Sequence, residues 1–189
     1  MRKLILLMHV TADGFVAGPD GAMDWIHVDP ELFEYTAAMT DEADMAVYGR
    51  VTYQMMQHYW PTAGDKPGAS EHDKQHSHWY NTVEKLVVSR SMAGMALPHT
   101  QILSDNLKVQ LDALKQQDGR NMLLIGSPSV VHRLMQDDLI DEFYLFVNPV
   151  LLGTGIPLFK NILSRVKLNL LSSKSFAGGE VMLLHYGRA

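Results

Sequence analysis

The chain has no cysteine among its 189 residues. That excludes disulfides, thiolate metal sites and cysteine nucleophiles. It also has no apolar run of membrane-spanning length. Basic residues are outnumbered by acidic ones, 16 to 21, for a formal charge of -5. Such a balance argues against a nucleic-acid-binding face, which is usually basic. It leaves room for an anionic small molecule held by a local pair of arginines. No P-loop, Ser-His-Asp order, zinc motif or GxGxxG fingerprint is found, so a Rossmann dehydrogenase is not expected.

What remains is the composition of one soluble domain spanning residues 1–189, 47% apolar and 20% charged. Met1-Arg2-Lys3 before Leu4–Met8 imitates a signal peptide. The apolar run is short and no small-x-small cleavage site follows, so residues 3–10 read as a buried strand and the cytoplasm is the expected compartment. Thr11–Gly21 holds three glycines and a proline, the mark of an irregular loop. Trp25 is either its aromatic-bearing end or a half-buried surface anchor. Asp29 and Pro30 fit the N-cap and first position of a helix carrying Leu32 and Phe33. Short strands alternating with helices predict an α/β fold with a mostly parallel sheet. Residues 167–176 and 180–187 predict a closing antiparallel hairpin around Ala177-Gly178-Gly179.

Ala46–Tyr53 organises the chain. An apolar run ends at Gly49; a cation, a hydroxyl and an amphipathic segment follow. Unpaired N–H groups at a helix start attract anions. Arg50 can fork onto phosphate oxygens and Thr52 can donate a hydroxyl bond. The plainer reading is a strand–helix junction with an exposed arginine. Pro61 is expected to help end this helix. Residues 85–90 form a strand ending in Ser89-Arg90, a hydroxyl and a guanidinium suited to a phosphate monoester. Ile102 and Leu103 form a brief strand, and Ser104 or Asp105 caps the next helix, which Gly119 stops. Asn121–Ile125 is a buried strand ending at Gly126, with Ser127 as cap and Pro128 opening a helix. The Gly126–Ser129 turn is a second possible phosphate cradle.

Residues 61–80 are polar and hold His72, His76 and His78. Four-residue spacing makes His72 and His76 a possible metal pair with His78 or Glu71. A solvated, histidine-rich loop and short helix is the preferred reading, and no metal is expected. Asp141-Glu142 begins a strand and reads as a solvated turn rather than a catalytic pair.

Gly49-Arg50-x-Thr52-Tyr53 resembles the Gly-Arg-x-Thr-aromatic motif of the dihydrofolate reductase superfamily. Leu139-Ile140-Asp141-Glu142 and Pro149-Val150-x-Leu152-Gly153-x-Gly155 resemble its riboflavin-biosynthesis reductase branch (RibD C-terminal domain-like), across the whole chain. The resemblance implies a dihydrofolate reductase-like three-layer fold and an oxidoreductase acting on a CH-NH or CH-OH type pair. NADPH would be the cofactor, bound by Gly49, Arg50, Thr52, Ser89, Arg90, Gly126, Ser127 and Ser129. The Thr11 and Ala12 backbone would meet the nicotinamide amide. Trp25, Phe33 and Phe146 would face a pterin or ribosylaminopyrimidine-like substrate. Asp29, with Glu31 as rival, is the candidate acid; capping explains Asp29 equally well. A homodimer, without nucleic acid or membrane, is implied. The alternative is a non-catalytic nucleotide-binding or structural dimer protein of the same fold.

Overall fold

A computed structural model describes residues 1–189, the side chain of Ala177 excepted. In chain order the elements are β1 (Leu4–Thr11), β2 (Phe15–Ala17), α1 (Pro30–Asp41), β3 (Ala43–Gly49), α2 (Arg50–Ala63), α3 (Glu71–Thr82), β4 (Glu84–Val88) and β5 (Thr100–Leu103). Then come α4 (Leu107–Gln116), β6 (Asn121–Ile125), α5 (Pro128–Gln136), β7 (Glu142–Asn148), β8 (Ile156–Pro157), β9 (Leu168–Phe176) and β10 (Val181–Arg188). Eight strands form one sheet in the order β5-β4-β3-β6-β1-β7-β10-β9. The first six in that order are parallel. β10 runs antiparallel to β7 and to β9, which is the expected hairpin.

Strand alternation sorts side chains to two faces. Leu4, Leu6, Met8 and Val10 of β1 join Leu107, Leu111, Leu114, Val130 and Leu134 in one core under α4 and α5. Ala46 and Tyr48 of β3 pack with Tyr53 and Tyr80 of α2 and α3 on the other face. There α1 adds Leu32 against Phe146, Phe176 and Leu183. Helices thus cover both sides of the sheet, which explains why β1, β3, β4 and β6 are apolar through their centres.

Several local expectations need correction. α2 continues through Pro61 to Ala63. At the start of α4 the cap position falls to Asn106, in a left-handed conformation and without a side-chain cap bond, rather than to Ser104 or Asp105, and the helix ends before Gly119. Residues 71–82 are a full helix, opened by a reciprocal capping box between Ser70 and Asp73. Asp141 is not a solvated turn residue: it accepts from the Leu4 N–H at 2.7 Å and pairs with buried Lys115 at 2.6 Å. Glu142 pairs with Lys3 and with His185. These carboxylates pin the start of β7 because the N–H at the start of β1 and the buried Lys115 ammonium need acceptors there. Among the described residues no helix is long and apolar enough to cross a membrane.

Candidate functional site

The parallel strands β4, β3, β6 and β1 end side by side. β3 and β4 are in register at Gly49↔Val88, so Gly49-Arg50 and Ser89-Arg90 leave the sheet together. β6 pairs β3 up to Val47↔Leu124, which brings the Gly126 turn next to Gly49. Chain direction reverses here: β3 connects outward to β4 through α2 and α3, whereas β6 connects the other way to β7 through α5. Ligands of open α/β sheets collect at such a switch point.

The two helix starts touch. The Gly49 N–H donates to Ser127 Oγ at 2.8 Å. A Cβ added at Gly49 would lie 2.9 Å from Val130 Cγ2, and one added at Gly126 would lie 3.2 Å from Thr52 Cγ2. Gly126 and Ser127 both adopt left-handed backbone, with φ of 61° and 63°. Ser127 occupies the expected cap position, but its hydroxyl serves Gly49 instead of its own helix. Neither α2 nor α5 has a side-chain cap. The first N–H groups of α2 are therefore open to an acceptor from outside the chain, whereas α5, which opens on Pro128 and whose Val130 N–H donates to the Ser127 carbonyl at 2.9 Å, offers the Ser129 N–H.

Cations flank this pair of helix starts. Arg50 is exposed and donates to Gln54 Oε1 at 3.0 Å; Arg90 is exposed at the end of β4. Among the described residues neither forms an ion pair. Ser89 is half-buried, with its hydroxyl 3.2 Å from that of Ser91. Ser129 is exposed in the first turn of α5. From β4 to β1 is three strand spacings, about 14 Å. The row suits an extended ligand with several anionic groups better than a single ion.

At the β1 end the geometry differs from expectation. The last β1–β6 pair is Leu7↔Ile125, yet β1 stays paired with β7 to Thr11↔Asn148. The overhang from Met8 to Thr11 therefore has an open edge beside the Gly126 turn. The Ala12 N–H is not available there, since it donates to the Val150 carbonyl at 3.0 Å. Thr11 is buried; its hydroxyl donates to Asp13 at 2.6 Å and accepts from the Phe15 N–H. Asp13 also accepts from Gly153 at 2.7 Å and from Leu152. The Thr11 hydroxyl bond and then the Gly153 N–H hold its carboxyl below the usual range. β2 pairs with β8 next to this strap, and a Cβ at Gly155 would collide with the Ala17 carbonyl.

On the side of the sheet under α1, Phe146 is completely buried. Its ring stacks on that of His9 at 5.1 Å, and half-buried His9, not the expected Phe146, is the one of the two that reaches the surface. Trp25 is half-buried and its indole Nε1 is sealed without a partner. Phe33 stacks on His72 at 3.8 Å. Asp29 caps α1, accepting from the Leu32 N–H at 2.8 Å; exposed Glu31 pairs with Lys174. His76 packs on Trp60 at 4.1 Å. The His72–His76 pair thus joins an aromatic seam between α1, α2 and α3. Among the described residues no three His, Asp or Glu side chains are grouped to hold a metal.

The RibD C-terminal domain family model matches residues 2–182. The chain belongs to that family. Two Bacillus subtilis relatives, the uncharacterized proteins YyaP and YwjB, are similar over nearly their whole lengths. YyaP is 29% identical, covering 98% of this chain and 95% of its own. YwjB is 30% identical, covering 100% and 99%. Among solved structures, a Shewanella protein provisionally assigned to riboflavin biosynthesis superposes with a TM-score of 0.74 at 23% identity, covering 100% of this chain and 99% of its own. A Corynebacterium diphtheriae pyrimidine reductase-like protein gives 0.69 at 15% identity, covering 100% and 92%. The Thermotoga maritima bifunctional deaminase/5-amino-6-(5-phosphoribosylamino)uracil reductase also gives 0.69, at 16%, and this RibD-family chain spans 57% of it. At these identities the structural likenesses establish the fold.

Proposed function

We propose that this RibD-family protein is an NADPH-dependent reductase of a planar, nitrogen-rich heterocycle, a pterin or a ribosylaminopyrimidine. The observation that carries the reading is the meeting of two uncapped helix starts at the β3–β6 switch, flanked by Arg50 on one strand end and Ser89-Arg90 on the next. The left-handed Gly126-Ser127 turn fits the same ligand, because a side chain at Gly126 would crowd Thr52 and close the approach.

Arg50, Thr52, the first N–H groups of α2 and the N–H and hydroxyl of Ser129 would hold the pyrophosphate. Ser89 and Arg90 would hold the 2′-phosphate, which favours NADPH over NADH. The open edge of Met8–Thr11, rather than the Ala12 N–H, would take the nicotinamide amide. When bound, NADPH supplies the hydride. The chain orients the acceptor between the end of β1 and the start of α1 and excludes water with the strapped loops at Asp13 and Trp25. Asp29 stands at that end, but its carboxylate is already engaged as a cap. Proton delivery by Asp29 would break the cap, so water is the simpler donor.

A small-molecule partner, a cytoplasmic location and a homodimer belong to the same proposal. For the dimer, the support is β9: a nine-residue outer edge strand that leaves Leu170 and Leu171 exposed. A sedimentation mass of one chain would contradict it.

The experiment is turnover. Loss of reduced-nicotinamide absorbance is followed with dihydrofolate and with a ribosylaminopyrimidine as acceptors. Oxidation of NADPH with one of them supports the proposal. Tight NADPH binding without oxidation by either would instead favour a non-catalytic nucleotide-binding protein.

A further inference from the structure

His9 lies on β1 in the segment that outruns β6, on the face shared with α1. Its surroundings fix its chemistry. Asn148, at the end of β7, is buried. Its Oδ1 accepts from the His27 backbone N–H at 2.9 Å, and its Nδ2 donates to the Phe146 carbonyl at 3.0 Å. These two backbone partners cannot exchange roles, so they decide which end of the amide is which. The amide nitrogen is the atom that faces His9 Nδ1, at 3.3 Å. An amide N–H only donates; Nδ1 must therefore accept. A neutral ring with a bare Nδ1 carries its proton on Nε2. Burial keeps this ring neutral, with its pKa lowered to about 4. Stacking on Phe146, at 22° between planes, holds the ring's orientation. Among the described residues Nε2 has no hydrogen-bond partner, and it is not sealed from solvent. It is a donor left open at the mouth of the site.

We propose that the His9 Nε2–H, oriented by Asn148, donates a hydrogen bond to a ring carbonyl or ring nitrogen of the heterocyclic substrate. This rests on the reductase reading. It adds a polar specificity contact where that reading had only apolar and capping residues. The same Asn148 binds the His27 N–H, so one buried amide sets both the imidazole and the loop leading into α1.

Two readouts test it in the 189-residue chain. Long-range nitrogen–proton NMR at pH 7 should show His9 neutral with its proton on Nε2. With NADP+ present, adding pterin or 5-aminouracil should shift the His9 Nε2 signal. His9→Phe keeps the stack and removes the donor; it should bind the same heterocycle about tenfold more weakly, the loss expected for one hydrogen bond. NADP+ affinity should stay within about threefold. His9→Gln, which restores an N–H, should recover part of the loss. A proton on Nδ1, an imidazolium at pH 7, or equal heterocycle binding by wild type and His9→Phe overturns the proposal. So does failure of both heterocycles to bind wild type. If NADP+ itself fails to bind, the reductase reading falls, and the heterocycles titrated alone decide the role of His9 by the same signals. If His9→Phe does not fold cooperatively, the wild-type tautomer and shift decide it.

Discussion

Replacing Gly49 by alanine tests how closely α2 and α5 are seated. Gly49 has φ −87° and ψ 165°, an extended conformation open to any residue. Backbone strain is therefore absent, and reduced freedom of the unfolded chain would by itself stabilise Gly49→Ala by about 0.4–1 kcal/mol. Sterics oppose this. The new Cβ would stand 2.9 Å from Val130 Cγ2, where carbon atoms prefer about 3.5–4.0 Å. Val130 is 3% exposed and has little room to retreat, so overpacking should cost about 1–3 kcal/mol. Overpacking wins, and the net loss should be about 1 kcal/mol. Val130→Ala alone removes buried methyl groups and should cost about 2 kcal/mol. In the double variant the clash is gone and the new methyl fills part of the space. It should lose about 2 kcal/mol rather than the 3 of simple addition, a coupling of about 1 kcal/mol. Urea unfolding followed by tryptophan fluorescence measures all four proteins. Additive losses, or a stabilised Gly49→Ala, would refute the packing argument.

Two other variants probe the opposite face. The hydroxyl of Tyr48 is buried without a partner. Tyr48→Phe should leave stability unchanged or raise it by about 1 kcal/mol, and a loss above about 1 kcal/mol in the same urea assay would show a partner for the hydroxyl. His76 has its pKa lowered from 6.5 to about 4, by burial and then by the nearby His72, with Asp73 opposing. Because the unfolded chain binds the proton first, the stability that His76 contributes is full above pH 6.5 and falls as pH drops toward 4, by about 3 kcal/mol at most, alongside a like decline from His9. His76→Gln should remove about half of the combined decline; an unchanged slope in acid would refute the burial of a neutral His76.

The parts of the site readable from sequence were those with a local cause. Gly49 and Gly126 each end an apolar run and precede a helix, and both prove to be the turns at which the helix starts meet. Ser89-Arg90 was visible for the same reason, as polar residues after an apolar strand. What stayed hidden depends on partners far along the chain. Asp13 looks like a loop residue until Leu152 and Gly153 reach it. His9 sits in an apolar strand and gains meaning only from Asn148, at the end of β7. The signal available was a lone histidine in a run otherwise fit for a core. Asp141 read as solvated because nothing nearby in sequence shows the buried Lys115. The histidines of 72–76 suggested ligands by spacing, but the aromatic rings of Phe33 and Trp60 use that spacing for packing.

In the proposed reductase, the ends of β4, β3 and β6 form one polyanion cradle with a place for a 2′-phosphate. Calorimetric titration of the unmodified protein and of Arg90→Ala with NADPH and NADH tests it most directly. NADPH should bind at micromolar level and NADH at least tenfold more weakly, and the preference should disappear in Arg90→Ala, as loss of a charge-assisted bond requires. Equal affinity for the two dinucleotides, a preference that survives Arg90→Ala, or no binding of either would contradict it.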